Sequence, residues 1–165
     1  MRSDLAVTGR ADGVASAEYM LRSALQLGAA ADRLSSSLDV TGGVTVDLIA
    51  GDQQRRGWTM VLVERGPWLP NAVVNDLERV QLRLHSCLAA ALDGLVAQKF
   101  PGSVGEPLVI RLDAFNTPNN VVKAFFERFS SEVLELPAYA RALSESKFVS
   151  GVTFELNLSD SPNRV

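Results

Sequence analysis

The strongest constraint in this sequence is a change of apolar spacing that is made twice. The runs at 58–65 (WTMVLVER), 108–115 and 152–158 are short, apolar and rich in β-branched residues, as strands are. Between them, at 71–98 and from Asn116 to Leu136, apolar residues return every three or four positions, as on one face of a helix. A further short run at 44–50 precedes them. A chain ordered in this way buries its helices against a sheet, which predicts a two-layer α/β sandwich (α+β). With a helical segment in front, the expected order is α-β-β-α-β-α-β. The sheet is then mixed and four-stranded, with the helices mainly on one face.

The boundaries follow from breakers and caps. Residues 51–57, GDQQRRG, read as a polar hairpin loop. Gly66-Pro67 ends the second strand, because proline cannot donate to a ladder. Val73, Leu77, Val80, Leu84, Cys87, Leu88, Ala91 and Leu95 lie on one stripe, with Asn71 as the expected cap. Gly94 predicts a bend or an early end to that helix. Thr117 and Pro118 fit the cap and first turn of the next helix, which carries Val121, Val122, Phe125, Phe126, Phe129 and Val133. It ends at Pro137, and a short helix is expected over 138–146. Residues 11–38 are rich in Ala, Ser and Leu at helical spacing, and their small side chains call for docking on something larger. The expected organisation is an N-terminal helical appendage at 1–42, one α/β domain at 43–160 and a flexible tail at 161–165.

Composition excludes several classes of function. Of 165 residues, 47% are hydrophobic and 21% charged, which rules out a wholly disordered chain. The formal net charge of −3 argues against a nucleic-acid partner. No apolar run approaches the ~18 residues of a membrane span, and no signal-peptide core follows the N-terminus. The lone Cys87 allows no internal disulfide, so the expected compartment is the cytoplasm. Lysine occurs only at Lys99, Lys123 and Lys147, and this arginine bias together with abundant alanine fits a GC-rich bacterial genome.

One histidine and one cysteine are too few for a zinc site of the usual kind. His85 and Cys87 are two apart on a helix and point in different directions, so they form no nucleophile–base pair. No glycine loop has the lysine and strand-to-helix context of a phosphate cradle, and no cofactor is expected. The remaining chemistry lies on the sheet. Alternation sets Leu108, Ile110 and Leu112 against Val109, Arg111 and Asp113 on the third strand. On the last strand it sets Val152, Phe154, Leu156 and Leu158 against Thr153, Glu155 and Asn157. On the first strand, Thr45 and Asp47 are expected to oppose Val44, Val46 and Leu48. The second sheet face then gathers Asp47, Arg111, Asp113, Glu155 and Glu64 or Arg65.

Such a face has two readings. Asp47, Glu64 and Asp113 together would bind a divalent metal, and Asp47 with Glu64 is similar to the acidic pair of metal-dependent nucleases. The plainer reading is cross-strand ion pairs, each contributing roughly 0.2–1 kcal/mol. Outside the sheet, Arg55 and Arg56 sit at the expected hairpin tip, suited to an acidic partner or phosphate, or to plain solvation. Trp68 follows Gly66-Pro67 and is either an interface anchor or a residue covering the sheet-to-helix connection.

Several stretches also resemble a family. They are Val46-Asp47-Leu48-Ile49, Val61-Leu62-Val63-Glu64-Arg65-Gly66-Pro67-Trp68, Leu77-Glu78-Arg79-Val80-Gln81-Leu82-Arg83-Leu84, Asp93-Gly94, and Phe100-Pro101 leading to Val109-Ile110-Arg111-Leu112-Asp113. Over residues 46–128 the chain resembles a small bacterial cytosolic family of unknown function with a strand-strand-helix-strand-helix core. The resemblance implies that core and carries no activity.

The expectation is a non-enzymatic protein-interaction module whose partner is another protein or a second copy in a homodimer. It would self-associate or serve as a subunit of a larger complex, an immunity- or antitoxin-like role being one case. Its candidate contact residues are Trp68, Arg111, Glu155, Arg55 and Arg56. The alternative is a small divalent-metal-dependent hydrolase or nuclease using Asp47, Glu64 and Asp113.

Overall fold

The computed structural model describes residues 46–52, 54 and 56–159. The expected N-terminal appendage, Arg55 and the tail lie outside the described residues. Four strands form one sheet: β1 (Leu48–Asp52), β2 (Gly57–Arg65), β3 (Glu106–Phe115) and β4 (Val149–Ser159), in the spatial order β1-β2-β3-β4. β1 runs antiparallel to β2, while β2, β3 and β4 are parallel. The mixed four-stranded α/β architecture is as the sequence predicts.

Parallel neighbours need crossovers. Helices α1 (Val73–Leu92) and α2 (Leu95–Lys99) lie between β2 and β3. Helices α3 (Asn119–Glu132) and α4 (Pro137–Glu145) lie between β3 and β4. Both crossovers step the same way across the sheet. Right-handed connections taken twice in one direction place their helices on one face. The core lies between that face and the helices. Met60, Leu62, Leu108, Ile110, Leu112 and Val152 meet Leu77, Val80, Leu84 and Leu88 of α1 and Val122, Phe125 and Phe126 of α3. Phe154 of β4 meets Phe126 and Phe129 edge-on, with ring centroids 6.4 and 5.7 Å apart.

Gly94 breaks the first helix, as expected. It takes φ +83°, and a Cβ there would lie 2.7 Å from the Phe148 ring. Two caps differ from expectation. The cap of α1 is Ala72 rather than Asn71, with no side-chain hydrogen bond. The cap of α3 is Pro118, one residue beyond Thr117, whose buried hydroxyl makes no hydrogen bond. In both cases packing of the apolar stripe sets the helix start.

The phase of β1 also differs. Gly51 and Asp52 stay in the strand, so the turn is tighter than the expected seven-residue loop. Leu48 pairs with Val61 on the second face, and Ile49 pairs with Met60 on the helix face. Adjacent Leu48 and Ile49 allow either phase; Ile49 takes the core, and Leu48 is left 54% exposed. This moves Asp47 to the helix side.

Candidate functional site

The charged residues expected on one face divide into two groups. Glu64 alternates with Met60 and Leu62, so it lies on the helix face, and it is buried. Asp113 lies on the opposite face. The structure therefore does not bring Asp47, Glu64 and Asp113 together. Among the described residues no three His, Cys, Asp or Glu side chains are grouped to hold a metal ion.

Glu64 is held by two arginines of α1. Arg83 Nη1 donates to Glu64 Oε1 at 2.6 Å, and Arg79 Nη2 donates to Oε2 at 2.7 Å. Arg83 also donates to the Val63 carbonyl at 3.1 Å and, through Nη2, to Asp47 Oδ2 at 2.7 Å. That same Asp47 oxygen accepts the Val63 N–H at 2.7 Å. Asp76 completes the group through Arg79. Three carboxylates and two guanidiniums thus join β2, the lead-in to β1 and the first turns of α1.

The electrostatics follow from these contacts. Burial alone would raise the Asp47 pKa, but the Val63 N–H and Arg83 outweigh it and hold it below its ordinary 3.8. Burial would likewise lower Arg83, and its bonds to Glu64 and Asp47 raise it instead. Arg79 is raised by its bonds to Glu64 and Asp76. Each carboxylate oxygen of Glu64 is occupied by an arginine. The arrangement fixes α1 on the sheet and ties all three carboxylates to arginines.

Sequence reasoning missed Arg79 and Arg83. The signal was present: Asp76, Arg79 and Arg83 follow the i, i+3, i+7 spacing of one helix face. Glu64 in phase with Met60 and Leu62 required a buried partner.

On the second face, alternation holds on β3 and β4. One cross-strand row runs Leu48, Val61, Arg111, Glu155, and another Val63, Asp113, Asn157. Arg111 faces Asp113 with two contacts: Nη2 donates to Oδ2 at 3.2 Å, and Nε lies 2.9 Å from Oδ1 without hydrogen-bond geometry. Thr153, Glu155 and Asn157 are exposed. No described helix crosses this face.

The other candidates are ordinary in place. Trp68 is half-buried against the core, and its indole N–H makes no hydrogen bond. Arg56 is exposed in the β1–β2 turn at φ 46°. His85 Nδ1 lies 2.8 Å from the Tyr139 hydroxyl, and burial lowers its pKa to about 4. Cys87 is fully buried, which pushes its thiol up to about 12. An open groove of about 690 Å³ runs beneath β1, lined by Ile49, Met60, Leu95, Val96 and Phe100, with Lys99 at its side.

No family model, curated protein or solved structure matches this chain. Among the described residues, no helix is long and apolar enough to cross a membrane.

Proposed function

We propose that this chain is a non-enzymatic protein-interaction module that associates with copies of itself. One observation carries the reading: among the described residues, helices pack on one side of the sheet only. Helices fill one face, while the other presents Leu48, Arg111, Thr153, Glu155 and Asn157, and among the described residues the outer strand β4 has one neighbour. An antiparallel or mixed sheet tolerates a solvated face when that face is polar. Here an exposed leucine and three valines, Val61, Val63 and Val109, share it with the charges, a mixture suited to a protein contact. The carboxylates best placed for chemistry are tied to arginines, which favours this reading over a metal-dependent hydrolase.

Closed two-fold assembly is the commonest way for such a domain to cover its open surface. Static light scattering of the full chain across the micromolar range tests it. A mass at a multiple of the chain mass, falling towards one copy on dilution, is expected. A single-copy mass at every concentration would overturn the proposal.

A further inference from the structure

We infer that β4 pairs edge to edge, antiparallel, with β4 of a second copy, making one continuous eight-stranded sheet. This rests on the self-association proposed above and names its contact.

An edge strand is a template for another strand, and proteins usually blunt long edges with lysine, proline or a bulge. β4 has eleven residues, VSGVTFELNLS, and among them Glu155 is the sole charge and none is proline. Its one register irregularity lies near its start, opposite Glu106 and Pro107. From Gly151 onward the ladder to β3 is regular.

The backbone direction is fixed by a hydrogen bond. The Asn116 N–H donates to the Ser159 carbonyl at 3.3 Å. Ser159 therefore turns its polar groups towards β3, and so do Asn157, Glu155 and Thr153, two residues apart. The intervening Val152, Phe154, Leu156 and Leu158 turn their N–H and C=O groups to the edge that no described strand covers. Phe154 is also the midpoint of the strand. A two-fold axis beside Phe154 brings Val152, Phe154 and Leu156 into register with outward residues of the copy, and Leu158 opposite Ser150 at the irregular start of the strand.

That register suits the side chains. It sets Phe154 opposite Phe154, and Val152 opposite Leu156, all on the helix face. On the second face it sets Thr153 opposite Glu155, and Gly151 opposite Asn157. Moving the axis one residue towards the C-terminus would place Glu155 opposite its own copy, a like-charge pair that is destabilising. Moving it one residue in either direction also shortens the overlap. Full overlap, polar-group direction and charge thus select one arrangement. The copies then share a second face twice as wide, left free for another protein.

Spin labelling tests this directly. Ser150 is exposed, and in the inferred register it lies opposite Leu158 of the copy. The two positions 150 are then eight residues apart along the paired strands, about 27 Å between Cα atoms. The Ser150→Cys chain takes one nitroxide there, since Cys87 is buried. A pulsed-dipolar distance near that value supports the inference. Leu156→Pro removes an outward N–H without touching the β3 ladder, and at least a tenfold weaker association is expected. If the wild type has a multiple mass but the label distance is absent, edge pairing is overturned and self-association stands. If the wild type has a single-copy mass throughout, both fall. Should Leu156→Pro fail to fold by circular dichroism, the label distance alone decides.

Discussion

Replacing Arg83 by methionine tests the reading of the carboxylate–arginine network. The variant keeps an apolar stem against the sheet and deletes the guanidinium. Glu64 has a side chain 5% exposed and depends on Arg83 and Arg79 for compensation. Removing one partner from a buried ion pair costs about 3–5 kcal/mol. Arg79 remains on the other carboxylate oxygen but is 49% exposed, so it offsets only part of the loss. The expected destabilisation is about 3 kcal/mol, read as a lower urea midpoint at unchanged slope. For a chain of this length that lowers Tm by about 6–12 °C. Adding Glu64→Leu should restore most of it, because an apolar replacement of the whole pair is close to neutral. If Arg83→Met lies within about 0.5 kcal/mol of the wild type, the network does not hold α1 on the sheet.

Three further outcomes are expected. The folded His85 pKa, about 4 against 6.5 unfolded, means the unfolded chain alone takes up that proton between these values. Stability should therefore fall by up to about 3 kcal/mol from pH 6.5 to 4, and His85→Gln should flatten this slope in thermal melts. Cys87 should resist iodoacetamide in the native protein and react fully in urea, as followed by mass spectrometry. Gly94→Ala should cost more than about 1 kcal/mol by chemical denaturation, since it meets both positive φ and the Phe148 ring.

The sequence was legible where pattern and burial agree. The stripe from Leu77 to Ala91 and the alternation around Ile110 and Phe154 each had one face to bury, and each appears as expected. The first strand was less legible. Adjacent Leu48 and Ile49 permit two phases, and long-range pairing with β2 chose between them. That choice moved Asp47 off the second face. Whether Glu64 or Arg65 shares the second face was open for a related reason: near the end of a strand apolar on both faces, alternation does not say which side the helices cover, and the structure gives that face to Arg65. The ion network was hidden because its parts are far apart in the chain. Glu64 and Arg83 are separated by the Gly66-Pro67 turn and the start of α1, and only the crossover brings them within 2.6 Å. Thr117 shows the limit of local rules, since a good capping residue lies one position outside the helix it was expected to start.

Self-association is tested most directly by sedimentation velocity of the intact wild-type chain across the micromolar range. The sedimentation coefficient should rise with concentration and level off at the value for two copies. A single species with the mass of one copy at every concentration would contradict it.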